Sequence, residues 1–369
     1  MNRREFIGGA TAATLLAGCG TDRAVRSLAG FTPPKIGDIR SVLLHLGTNM
    51  WTDRAFTEIP EFTRKHDPTI TLEDIRNVDY HRFDEGCWRE LTGLMAKHGL
   101  NQLVVDIGEG MVLPSHPELA VRGAWSPDRM REEIVRLNAM GIEVIPKLNF
   151  STSHDTWLGV YHRMVSTRKY YQVCADVIRD CAEIFESPRF FHIGYDEEMW
   201  TAQKTRQLVI IRQKDLWWHD FLYTVNEVER NGSRAICWSD VYWTGRDEFK
   251  KRMPKSVLQC NWYYRSDFSE KKMVWNEKFE KEGGWGEGVH GAITFLELEK
   301  AGYDQLAGPG NFWGEPAAEA VVKFCKEHVD PSRLKGFLMS TWAGTTQAEK
   351  KKVTDGIREF AAVKRKYYS

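Results

Sequence analysis

The sequence has no excess charge of either sign: 51 Lys and Arg meet 51 Asp and Glu across 369 residues. That balance offers no electrostatic footprint for nucleic acid or an acidic partner. The cysteines form no CxxC pair and no metal-type spacing, and there is no H-x-H pair of the kind that supplies a barrel metal centre from strand ends. No glycine-rich phosphate loop follows the first strand candidate, which argues against a doubly wound nucleotide-binding sheet. Internal repeats and low-complexity blocks are missing as well. The one apolar stretch near the start, Ile7 to Gly18, is too short to span a bilayer as a mature helix.

Tryptophan, by contrast, is abundant, with 14 residues. Sugar-binding clefts set the flat apolar face of an indole against pyranose rings, so this number favours a carbohydrate partner. Trp88, Trp217, Trp218 and Trp275 fall in helix-like segments and are expected simply to pack.

The opening "MNRREFIGGATAATLLAGCG" pairs Arg3 and Arg4 ahead of Phe6 and a weakly apolar run. It resembles a twin-arginine export signal, and "LAGC" (Leu16 to Cys19) resembles a lipoprotein cleavage box. The expectation is a signal over 1–19, with Cys19 as the lipidated first mature residue, then a linker over 20–39 and one domain over 40–369. The protein is then a membrane-anchored lipoprotein, periplasmic or at the cell surface, tethered by acyl chains rather than spanning. Twin-arginine cargo folds before export, so Cys87, Cys174, Cys181, Cys237, Cys260 and Cys325 are expected as buried free thiols. Cys174 and Cys181 share one helix and are too far apart to bridge.

From Arg40 onward, short apolar runs alternate with amphipathic stretches. Strands are expected over 41–47, 102–108, 143–150, 190–196, 234–240, 256–264, 304–312 and 335–342, with helices between them over 84–98, 127–139, 168–186, 210–230, 316–328 and 346–365. "SPDRMREEI" marks one helix start, with Ser126 as N-cap and Pro127 in the first turn. The charged run around 270–282 reads as a solvated helix face. Eight alternations over one chain of this length predict a single (β/α)8 barrel.

Barrel active sites lie at the carboxyl ends of the strands. There the fourth strand candidate, "FFHIGYDEEMW", runs into Asp196, Glu197 and Glu198. A period of two puts His192, Gly194 and Asp196 on one face and Phe191, Ile193 and Tyr195 on the other. The bulky set belongs against the helices, so His192 and Asp196 point inward and Glu197 enters the cleft. A carboxyl group in a water-poor, aromatic-lined pocket has its pKa raised, as a general acid near neutral pH requires.

These residues carry a resemblance. "HIGYDEE" is similar to the H-x-G-G-D-E motif of glycoside hydrolase family 20, the β-N-acetylhexosaminidases. "GIEVIPKLNFSTSH" resembles that family's third-strand motif, and "HPELAVRGAWS" its segment after the second strand. The resemblance covers about residues 116–197 and implies a retaining, exo-acting glycosidase that needs no cofactor and no metal. It implies that Glu197 is the acid and later the base. Asp196 holds the substrate's own 2-acetamido group, whose oxygen attacks the anomeric carbon, and His154 tunes Glu197.

The sequence also departs from that pattern. Lys147 and Asn149 stand where the family has Glu and Asp, and the first strand offers His45 and Asn49 in place of a hydroxyl-gripping Arg. Phe312 and Trp313 fall where the family has the Tyr that steadies the acetamido oxygen, and the small domain ahead of the barrel is absent. Tyr263 or Tyr264 is expected to replace that Tyr, and Asp240 either binds sugar hydroxyls or serves as a second catalytic carboxylate. Trp238, Trp262, Trp313 and Trp342 are expected to enclose one sugar ring, with His192 and Asn149 as further substrate-binding candidates. Two other readings stay open: a sugar-binding lipoprotein without catalysis, and a metal-dependent barrel using His192, Asp196, Asp106 or Asp240.

Overall fold

A computed structural model describes residues 31–368, apart from 54–57, 60, 67, 69–70, 73–76, 205 and 285. Cys19 and the rest of the expected leader lie outside the described residues.

Eight parallel strands close on themselves in chain order: β1 (Ile39–His45), β2 (Gln102–Asp106), β3 (Glu143–Lys147), β4 (Phe190–His192), β5 (Arg234–Trp238), β6 (Leu258–Cys260), β7 (Gln305–Ala307) and β8 (Leu334–Met339). Because both faces are covered, the strands read as near-continuous apolar runs rather than alternating ones. The chain is a single-domain (β/α)8 barrel. All eight expected strands exist, and each ends two to five residues before its expected carboxyl end. The residues beyond peel off the sheet into the loops at the carboxyl end of the barrel.

Local chemistry starts the helices where the sequence placed them. Ser126 accepts the Arg129 amide ahead of Pro127–Ala139, and Asp84 accepts the Cys87 amide ahead of Glu85–His98. Gly99 then closes the latter helix in the left-handed region, φ 65°. The short helix Glu277–Lys281 falls in the charged run expected as a solvated helix face, whereas three helices had no counterpart in the sequence reading: Glu61–His66, Arg246–Arg252 and Ala292–Lys300. The last is short and mostly buried, so its apolar pattern does not show the helical period. Trp88, Trp217 and Trp218 pack in helices as expected. All six described cysteines are buried and free. Among the described residues no helix is long and apolar enough to cross a membrane.

Just below the mouth of the barrel, strand register produces a polar row that no single strand reveals. His45 pairs with Asp106, Asp106 with Lys147, and Lys147 with His192 across β1 to β4. Lys147 is fully buried and donates to Asp106, and His45 Nδ1 lies 3.5 Å from the same carboxylate. Burial drives the His45 pKa down to about 4, against the pull of Asp106, so this imidazole is neutral. Removing one partner of a buried ion pair strands the other charge. Asp106→Asn is therefore expected to lower unfolding free energy by about 3–5 kcal/mol in denaturant titrations. Adding Lys147→Met to it should recover much of that loss.

Candidate active site

The chain leaves β4 through an unusual backbone. Gly194 (φ 71°), Tyr195 (φ 70°) and Glu197 (φ 55°) all adopt left-handed conformations. A Cβ on Gly194 would come within 1.9 Å of Asn149 Oδ1, so only glycine fits there. Tyr195 and Glu197 have no such excuse, and strain of this kind persists only where the surroundings over-determine it. The surroundings here come from the β3–β4 loop. Asn149 Oδ1 accepts the Tyr195 amide at 3.1 Å, Ser151 Oγ donates to the Asp196 carbonyl at 2.5 Å, and Ser153 Oγ donates to the Glu197 carbonyl at 2.5 Å. From the other side, Asp240 Oδ2 accepts the Glu197 amide at 2.9 Å.

The clamp sorts the three consecutive carboxylates into different roles. Glu198 turns away and chelates Arg212, through Nε at 2.8 Å and Nη2 at 2.6 Å, so it is structural. Asp196 is buried and accepts from Asn149 Nδ2 at 2.8 Å. Glu197 keeps about a third of its side chain exposed. His154 bridges the pair, with Nδ1 3.4 Å from Asp196 Oδ1 and Nε2 3.6 Å from Glu197 Oε2.

Electrostatics separate the two acids. Burial pushes Asp196 up, but His154, Lys147 and the Asn149 amide outweigh it and hold Asp196 below the usual carboxylate range. Burial raises Glu197 to about 7, opposed by His154 and reinforced by Asp196 and Glu287. Burial also opposes a charge on His154, yet the two carboxylates win and its pKa is raised. One anionic and one protonated carboxyl group side by side near neutral pH is the division of labour that acid–base chemistry needs.

The aromatic residues form a floor, a wall and a rim. On the floor, the Trp238 ring lies 4.5 Å from His192 and 5.6 Å from Trp342, and Trp342 lies 5.9 Å from His45. His192 is itself buried and neutral, because desolvation and then Lys147 push its pKa far down. On the wall, Trp262 stacks on Tyr264 at 5.2 Å and donates to Asp240 Oδ1 at 3.4 Å, and Tyr264 Oη accepts from Trp342 Nε1 at 2.9 Å. Trp313 is on the rim, 47% exposed, whereas Trp238 and Trp262 are buried.

Of the two tyrosines that follow β6, Tyr264 is at the mouth. Tyr263 Oη donates to the Asp267 carbonyl at 2.6 Å and its ring packs against Phe268, which directs it away from the cleft. Neither residue suggested in place of an Arg on the first strand reaches the mouth as a sugar grip. His45 lies under the floor, and the Asn49 side chain both donates to and accepts from the backbone of Val78. Glu287 was missed altogether. It lies in a glycine-rich stretch away from any strand end, and nothing in the sequence marks it.

The ligand atoms of His154, Asp196 and Glu197 all lie within 4.8 Å of one another. The imidazole faces Asp196 with Nδ1 and Glu197 with Nε2. In the polar row below, the Lys147 ammonium already supplies the positive charge between Asp106 and His192. A separate cavity of about 390 Å³ opens between the β1, β2 and β3 loops, and neither acid lines it. Among its lining residues is Trp157, whose indole donates to the Asn149 carbonyl at 2.7 Å.

Known structures match this architecture. A β-N-acetylhexosaminidase from Bacteroides fragilis superposes with a TM-score of 0.59 at 12% identity, over 89% of this chain and 66% of that one. An exo-β-N-acetylglucosaminidase of glycoside hydrolase family 20 from Vibrio harveyi, in complex with N-acetylglucosamine, superposes with a TM-score of 0.56 at 13% identity, over 89% and 54%. In fold, the chain is similar to family 20 β-N-acetylhexosaminidases. Dispersin B matches with a TM-score of 0.51 at 16% identity, over 78% of this chain and 96% of its own. The chain spans between about half and two thirds of the length of the first two structures. No protein-family model and no curated protein matches the sequence.

Proposed function

We propose that the chain is a retaining, exo-acting glycoside hydrolase that acts on β-linked 2-acetamido sugars. The observation that carries this reading is the His154-bridged pair, Asp196 held anionic and Glu197 lifted to about 7, in an indole-lined barrel mouth. Glu197 gives its proton to the glycosidic oxygen as the bond to the anomeric carbon breaks. The substrate's acetamido oxygen attacks that carbon from the other side, while Asp196 accepts a hydrogen bond from the acetamido N–H. Glu197, now a carboxylate, takes a proton from water, which reopens the cyclised intermediate and restores the original configuration. Tyr264 is the hydroxyl donor suited to the acetamido oxygen, because Tyr263 faces away.

A panel of chromogenic β-glycosides with and without 2-acetamido groups tests the reading. Hydrolysis confined to the acetamido members is expected, and no hydrolysis of any member would favour a sugar-binding protein without catalysis. We further propose that Cys19 carries the lipid anchor of an exported precursor. Cys19→Ala should abolish acyl labelling and leave the precursor unprocessed; unchanged membrane fractionation would contradict this.

A further inference from the structure

Beside the acid pair, one buried carboxylate joins groups from three loops. Glu287 opens a π-helical turn over Glu287–Gly291, an irregularity that recurs at functional sites. The turn sits close because Gly291 has no side chain; a Cβ there would come within 2.8 Å of the Tyr263 ring. This explains why Tyr263 faces outward: it buttresses the turn. Glu287 Oε1 accepts the Tyr264 amide, and Oε2 accepts Trp313 Nε1 at 2.9 Å. Arg265 Nε lies 3.7 Å from Oε2, with its guanidinium over the Trp313 ring at 4.8 Å.

Followed outward from the acid, the contacts form a continuous chain. The Glu197 amide rests on Asp240, Asp240 on the Trp262 indole, Trp262 on the Tyr264 ring, and Tyr264 on Glu287. From the hypothesis of a sugar hydrolase, and resting on it, we infer that Glu287 is a positioning residue: its two oxygens lock the mouth aromatic Tyr264 and the rim aromatic Trp313 into one wall beside Glu197. A sugar in the mouth and a leaving-group sugar stacked on exposed Trp313 are then held in a fixed mutual geometry. The leaving-group class is a neutral pyranose, since Arg265 is already paired with Glu287.

Glu287 also acts through charge. The titratable groups around Glu197 are His154 from the β3 loop, Asp196 on its own loop, Asp240 from the β5 loop, and Glu287. Those around Glu287 are Arg265 and Glu315, with Tyr264 and Trp313 as its hydrogen-bond donors.

The test compares Glu287→Gln and Glu287→Asp in the full chain. Gln keeps the size but loses the charge and presents N–H to the Trp313 N–H. It should raise KM for a disaccharide about tenfold, with kcat changed less than about threefold. The alkaline limb of kcat/KM should move down by several tenths of a pH unit or more, because a negative neighbour of Glu197 has gone. Asp keeps the charge but not the reach, so the limb should return while KM stays high. In a Trp313→Phe background the KM effect of Glu287→Gln should largely vanish. If KM and the pH limb are both unmoved in Glu287→Gln, the inference is overturned and the hydrolase reading stands. Identical defects in Gln and Asp, including the pH limb, would likewise overturn it. If the protein hydrolyses nothing, carbon-13 titration of the Glu197 carboxyl and calorimetric binding of N-acetylglucosamine give the same comparison without turnover. A Glu197 titration that shifts in Glu287→Gln and returns in Glu287→Asp then supports Glu287 while the hydrolase reading falls.

Discussion

Glu197→Gln is expected to lower kcat/KM by about 10²- to 10⁴-fold on glycosides with poor leaving groups, the range for loss of a positioned general acid. Activated aryl glycosides, which depart without a proton, should lose much less. The amide keeps the shape of the side chain, and the loop is held by the Glu197 backbone, through Ser153 and Asp240, so thermal unfolding should barely change. The pH profile supplies the sign. As the proposed acid Glu197 must act protonated, and burial with Asp196 and Glu287 raises it to about 7 against His154, so wild-type kcat/KM is expected to fall as pH rises through that value. Glu197→Gln should lose this alkaline limb along with its rate. An equal, small loss on good and poor leaving groups would remove Glu197 from the role.

The barrel was legible because its eight strands are buried on both faces and therefore stand out as apolar runs between amphipathic ones. Their carboxyl ends were not. Residues 193–197 look like a continuation of β4 by composition, yet left-handed Gly194 and Tyr195 end the alternation just after His192. The facing assigned to Tyr195 and Asp196 still holds. Tyr195 packs on Trp217 and Phe221 among the helices, and Asp196 turns to Asn149 and His154. Contacts between strands lay beyond any reading of one strand at a time. Lys147 looked like the loss of an acidic family residue, whereas in the fold it completes a row with Asp106 and places a positive charge beneath Asp196. The choice between Tyr263 and Tyr264 turned on the Glu287–Gly291 turn, whose approach depends on a missing Cβ rather than on any sequence period.

Asp196→Asn separates a substrate-supplied nucleophile from a protein one. Asp196 is the anion suited to an acetamido N–H, since His154, Lys147 and Asn149 hold it ionised against its burial. Removing that charge should lower turnover of 2-acetamido glycosides by about 10²- to 10³-fold, the scale for losing a preorganised group aimed at developing charge. The competing nucleophile is Asp240, which would need to be ionised and about 5–5.5 Å from Glu197 for direct retention. Its setting opposes that role. Asp240 is buried, burial and then Asp196 push its pKa up, and its two oxygens are already engaged by the Glu197 amide and the Trp262 indole. A protonated carboxyl group that holds the acid's own peptide in a left-handed conformation is better suited to positioning than to attack. A thiazoline mimic of the cyclised acetamido intermediate should therefore bind far more tightly than the parent sugar, and Asp196→Asn should weaken it selectively. A 2-fluoro sugar should leave Asp240 unlabelled. Covalent labelling of Asp240 without thiazoline inhibition would reverse the assignment, making Asp240 the nucleophile and Asp196 a supporting charge.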